Sequence, residues 1–104
     1  MTHALMVYVT YPDQDRAQEI SQEIVSAHLA ACANIFAPHQ SLYWWEGELQ
    51  SGQEIAVIYK TTRDCFKSLK EKIIELHPFD CPCIVALDIA DGHEAFIHWI
   101  KDSL

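Results

Sequence analysis

Cys81, Pro82 and Cys83 put two thiols two residues apart, with Asp80 just before them and His77 four positions before Cys81. In an extended chain alternate side chains project to the same side, so both sulfurs can face one point. Thiolates joined by an imidazole suit copper(I) or zinc, which makes His77, Cys81 and Cys83 candidate metal ligands. A single C-x-C is a weaker signature than paired C-x-x-C motifs. The same residues also read as a loop thiol at Cys81 and a small apolar residue at Cys83 that opens a buried strand. Cys32 is a further candidate thiol, although Ala31 and Ala33 beside it equally suit a tightly packed core position.

The elements that must position these groups follow from periodicity. Ala4 to Thr10 is rich in Val and Tyr and reads as a strand closed by Tyr11-Pro12-Asp13. Asp13 then caps a helix from about Gln14, with Ala17, Ile20, Ile24 and Ala27 on its apolar face and His28 at its C-terminal end. Ala30 to Phe36 is a short second strand. A second helix runs from about Arg63 to Leu76, with Phe66, Leu69, Ile73 and Leu76 at helical spacing, until His77-Pro78 stops it. Cys83 to Ile89 reads as a strand buried on both faces. Asp91 and Glu94 have capping-box spacing and open a last helix that turns Phe96, Trp99 and Ile100 inward.

Between the second strand and the second helix lies Ser41 to Lys60, SLYWWEGELQSGQEIAVIYK, which reads as a long β-hairpin. Its tip is placed at Ser51-Gly52, with Gly47 as a bulge inside an aromatic strand. Each strand then has about ten residues, roughly 33 Å of ribbon. A domain of about 100 residues has a radius of gyration near 13 Å, so such a ribbon overhangs its own core. Aromatic side chains on an isolated ribbon need cover, and another copy of the chain supplies it. The competing arrangement is a longer sheet that curls over its own helices. The element order is that of an α+β, ferredoxin-like βαββαβ sandwich with an extended central hairpin and an added C-terminal helix.

The 104 residues, half of them hydrophobic, fit a single domain spanning 1–104. Fifteen acidic residues against seven basic ones give a formal net charge of −8, which repels phosphate backbones and argues against nucleic acid as a partner. Met1 leads straight into an apolar run without a basic leader segment, and no run approaches the roughly 18 residues of a membrane span. A cytoplasmic protein without membrane partners is expected, and its four cysteines read as free thiols or metal ligands rather than disulfides. No G-x-S-x-G, glycine-rich phosphate loop or H-E-x-x-H is present, so no enzyme is expected. The three glycines leave little from which to build a phosphate cradle. The arginine-bearing signature loop of acylphosphatase and the C-x-x-C of copper chaperones have no counterpart either.

Ala30-Ala31-Cys32-Ala33-Asn34-Ile35, Ser41 to Gly47, Lys60-Thr61, and His77-Pro78-Phe79 with Pro82 beyond together resemble the CutA family of divalent-cation tolerance proteins. The resemblance runs from Thr10 and Pro12 to Trp99. It implies a ferredoxin-like subunit in a tight homotrimer whose hairpins form intersubunit sheets, an architecture shared with the PII signalling proteins. It also implies a link to tolerance of copper and other divalent cations, with copper or another divalent cation as the one cofactor to expect. Cys32, Trp45, Glu46 and Lys60 match family positions. A Glu46–Lys60 interaction within or between subunits, joined by Asp80, would close a pocket at the subunit boundary. Where the family pattern resembles His-Pro-Tyr-Glu-x-Pro-Glu, this chain has Phe79, Asp80 and Cys83. It also has Val9 where some members carry a cysteine, and Leu76-His77 where some carry a histidine pair. Three functions follow as expectations: a non-enzymatic trimer of metal tolerance, a PII-like small-molecule sensor with intersubunit clefts, or an interaction scaffold.

Overall fold

The computed structural model describes residues 3–104, and Met1, from which the absence of a leader is read, lies outside them. Eight elements follow one another: β1 (Ala4–Tyr11), α1 (Gln14–Ser26), β2 (Cys32–Ile35), β3 (His39–Trp45), β4 (Glu48–Thr62), α2 (Arg63–Leu76), β5 (Ile84–Asp88) and α3 (Glu94–Asp102). The body sheet has the order β2-β4-β1-β5, all antiparallel. This is the ferredoxin-like pattern, with β3 as an extra strand paired only to the first half of β4.

The alternation of side chains along β1 explains the layering. Leu5, Val7, Val9 and Tyr11 point to one face, where they meet Ile55, Val57 and Tyr59 of β4 and are covered by Ile20 and Ile24 of α1 and by Leu69 and Ile73 of α2. Asp13 caps α1 as expected, its carboxylate accepting the Arg16 N–H at 2.8 Å. The buried face also carries a hydroxyl chain: Tyr11 and Tyr59 lie 2.6 Å apart, and Ser21 is 2.9 Å from Tyr59. Burial pushes both phenols above their usual range, so they stay neutral and satisfy each other. Ala27 is the C-cap of α1 and is exposed rather than part of its apolar face.

β4 changes partners midway. Residues Glu48 to Glu54 pair with β3, whereas Ile55 to Thr62 pair with β1. The ribbon therefore stands clear of the body, and the longest dimension of the chain is 44 Å against 25 and 23 Å across. Its tip differs from expectation. Trp45 pairs with Glu48, and the connecting residues Glu46 and Gly47 both have positive φ, at 50° and 79°. That is a two-residue primed turn, whose twist matches the strands it joins. Ser51 and Gly52 lie inside β4, opposite Leu42 and Ser41. A contrast between the two glycines checks this tip. A Cβ at either position meets nothing within 4 Å, so only backbone conformation matters. Gly47→Ala is expected to cost about 1 kcal/mol in denaturant unfolding, while Gly52→Ala is neutral or stabilises by a few tenths. Equal effects at the two positions would contradict the turn.

Three other expectations change. β5 starts at Ile84 at one edge of the sheet, and Val85 and Leu87 are exposed rather than buried because they lie on the sheet face that α1 and α2 leave uncovered. The capping box does not form: His93 is the N-cap of α3, and the Asp91 carboxylate accepts the Gly92 N–H instead. Of the α3 residues expected to turn inward, Ile100 is fully buried, but Phe96 and Trp99 remain exposed and stack on each other at 5.3 Å. α3 packs against β4 and β1. Its C-terminal end is tied down at His28, a positive-φ residue whose Nδ1 lies 3.0 Å from the Ser103 carbonyl oxygen.

Candidate functional site

His77 is placed by the end of α2. The proline that follows biases it to extended backbone, with φ −72° and ψ 137°, while its N–H still closes onto the Ile73 carbonyl at 2.8 Å. This conformation accompanies a buried imidazole stacked on Tyr11, with ring centroids 4.9 Å apart and planes 18° from parallel. Nε2 lies 2.7 Å from the Thr10 carbonyl oxygen, and the Phe79 N–H donates to Nδ1 at 3.1 Å. A carbonyl cannot donate and an amide N–H cannot accept, so the ring carries its proton on Nε2 and spends its lone pair on Phe79. In this arrangement neither nitrogen is left to bind a metal ion. His77 thus clamps the Phe79 to Cys83 segment onto the end of β1, a structural task in place of the expected ligation.

The thiols are differently placed. All four cysteines are free, with Cys81 and Cys83 exposed and Cys32 half-buried. Cys81, Pro82 and Cys83 lie in the irregular segment before β5. Continuing the β5 alternation, Cys83 falls on the face that α1 and α2 do not cover, the face of Tyr8 and Thr10 in β1 and of Glu54 at the base of the ribbon. Burial and the Glu54 carboxylate push the Cys83 thiol up, against a lowering hydrogen bond from the Thr10 side chain. The Tyr8 phenol is raised in turn by burial, Cys83 and Glu54. Alternation along β1 and β4 puts Tyr8, Thr10 and Glu54 on one face and would have found this group, but the contribution of Cys83 needed the β1–β5 register.

Cys32 is on the same face, opposite Lys60 at the far edge of the sheet. With the order β2-β4-β1-β5, three strand spacings of about 4.8 Å separate β2 from β5, roughly 14 Å in all. Within one chain Cys32 therefore cannot join Cys81 and Cys83. Cys32 is also not part of the helix-covered core cluster, so its half-buried state differs from a packed core thiol. Among the described residues, no three His, Cys, Asp or Glu side chains come together to hold a metal ion.

The pocket residues are also dispersed. Trp45 and Glu46 lie at the ribbon tip and are exposed, as is Asp80 in the bend after His77. Lys60 sits in the body sheet and donates to the Asn34 side-chain oxygen. β4 is 15 residues long, so at about 3.3 Å per residue the tip and Lys60 stand roughly 40 Å apart. A Glu46–Lys60 contact inside one chain is ruled out by that length, and only a contact between chains remains. Elsewhere His3, Ala4, Ile97 and His98 line a shallow cleft of about 290 Å³ between β1 and α3.

A protein-family model for the CutA1 divalent ion tolerance protein matches residues 5–103. This chain belongs to the CutA1 family. Among CutA1 relatives, the divalent-cation tolerance protein CutA of Pyrococcus horikoshii is 38% identical over 96 residues, covering 92% of this chain and 93% of the relative. The solved Cut A1 structure from Thermus thermophilus superimposes with a TM-score of 0.94 at 38% identity, covering 96% of this chain and 97% of the other. A structure from Archaeoglobus fulgidus, named a periplasmic divalent cation tolerance protein CutA, gives 0.93 at 34% identity with coverage of 96% and 97%. Membership of CutA1 links the chain to divalent-cation tolerance, and the structural likeness extends over nearly its whole length.

Proposed function

We propose that this chain acts as a non-catalytic homotrimer in the response to divalent metal ions, with copper or another divalent cation as its ligand and Cys81 and Cys83 as the donors. The family match over residues 5–103 carries the metal reading. Trimer formation is supported by apolar surface that one copy leaves bare: Leu42 is 68% and Trp44 72% exposed on one face of the ribbon, and Tyr43 and Trp45 are exposed on the other. Two exposed free thiols suit a reducing compartment, which favours the cytoplasm for this chain over the periplasm named for the Archaeoglobus protein. Among the described residues no helix is long and apolar enough to cross a membrane.

Deleting the gene from its own host and comparing growth in graded copper and zinc tests the reading. Lower tolerance is expected, restored by the wild-type chain and not by one carrying Cys81→Ser with Cys83→Ser. Unchanged growth at every concentration overturns it.

A further inference from the structure

We propose that the cleft between β1 and α3 binds a small linear zwitterion, an ω-amino acid whose ammonium sits at Asp91 and Glu94 and whose carboxylate sits at Lys101. The site is independent of the metal reading, because the full length of β5, roughly 17 Å, lies between the cleft residue Ile89 and the Cys81 to Cys83 segment. Ala4, Ile89 and Ile97 give the cleft apolar walls, and charged side chains are strung along its α3 side. Their order is fixed by the helix. Asp91 precedes α3 and Glu94 opens it, and Ile97, His98 and Lys101 follow Glu94 at three-, four- and seven-residue spacing on the same face. At 1.5 Å per residue, Lys101 lies about 10 Å beyond Glu94 along the helix axis. Among the described residues neither Glu94 nor Lys101 is in an ion pair. Opposite charges left unpaired at the two ends of an apolar-walled cleft match a ligand with one charge at each end and methylenes between. A ligand of single charge would meet a like charge at one end.

Both walls are set before a ligand arrives. The Ile89 N–H donates to the Ala4 carbonyl at 3.1 Å, which ties the segment after β5 to β1. The Asp91 carboxylate is oriented by the Gly92 N–H on its Oδ1, leaving the second oxygen for the ammonium. α3 is anchored by the fully buried Ile100 and, at its C-terminal end, by His28 on the Ser103 carbonyl. Walls already held in place reduce the freedom lost on binding. A metal ion does not fit the same lining, since no three His, Cys, Asp or Glu side chains come together among the described residues.

The test titrates 6-aminohexanoate into the purified full-length protein by calorimetry in the presence of a metal chelator, with glycine, hexanoate and hexylamine as controls. Saturable binding of one ligand per chain is expected at a Kd of about 1 mM or tighter, at least about tenfold tighter than for any control. Glu94→Gln and Lys101→Gln, with unchanged circular dichroism, should each weaken it about fivefold. The Cys81→Ser, Cys83→Ser double variant should bind as the wild type does. Amide NMR shifts should move at Ala4, Gly92 and Ile97, which locates the ligand without any substitution. No saturable binding, a control bound as tightly, unchanged affinity in both charge variants, or shifts confined to other residues would each overturn the site. Such a failure leaves the metal-response reading standing, because that reading is decided by growth in copper and zinc.

Discussion

Replacing His77 with alanine is expected to destabilise the fold by about 3 kcal/mol while leaving metal binding unchanged. The imidazole is buried, stacked on Tyr11 and in tilted contact with Phe79. Truncating a buried ring leaves a cavity and typically costs several kcal/mol. The Thr10 carbonyl and the Phe79 N–H would also each lose a partner, at about 1–3 kcal/mol for a buried group left unsatisfied. His77→Phe separates these contributions. It keeps an aromatic ring against Tyr11 and loses only the two hydrogen bonds, so a loss of about 2 kcal/mol, smaller than that of the alanine variant, is expected. Urea unfolding of both variants, read beside copper titrations, decides the role of the residue. Unchanged stability with lost metal affinity would make His77 a ligand and contradict the clamp.

Charging the ribbon is expected to dissociate the proposed trimer. Leu42 pairs with Ser51 and Trp44 with Leu49, which puts Leu42, Trp44 and Leu49 on one face. Leu49 is 62% exposed, so this apolar stripe lacks cover within the chain. If a neighbouring copy covers it, a buried tryptophan there is a candidate hot spot, and truncation at a hot spot costs about 2–4 kcal/mol. Trp44→Asp adds a desolvated charge to that loss, so association should weaken at least a hundredfold. The same side chain is 72% exposed within a single copy, so the subunit itself should still fold. Sedimentation is expected to give three times 11.9 kDa for the wild type and 11.9 kDa for Trp44→Asp with Leu42→Asp, with similar far-UV circular dichroism. A wild-type mass of one chain would refute trimer formation.

Both predictions depend on long-range placement, and that is where the residue pattern and the structure part. The helices were legible to within a residue or two, because 3.6-residue periodicity, the Asp13 cap and the stop at Pro78 are local. The membership was legible too, since motifs spread over the whole chain carry it. The tip was not. Ser51-Gly52 is the more usual turn composition, whereas Glu46 enters the left-handed region that Asn, Asp and Gly favour. The closing Trp45–Glu48 pair is visible only once the register is set.

The apolar runs in β5 and α3 had a similar fate. Val85, Leu87, Phe96 and Trp99 are hydrophobic enough to be buried, and composition says nothing of which neighbour buries them. A single copy leaves them bare. The thiols show the same division. Proximity in the chain grouped His77 with Cys81 and Cys83, yet hydrogen bonds to Thr10 and Phe79 withdraw the histidine, and β-sheet pairing sets Glu54 and Tyr8 near Cys83 instead. Sequence alone determined the element types and the helix boundaries, because these depend on near neighbours in the chain, and the family, because its short motifs are read in order along the whole chain. Strand register, the engagement of His77 and the isolation of Cys32 were decided by tertiary structure, because pairing energies accumulate over many residues far apart in sequence and no short motif encodes their sum.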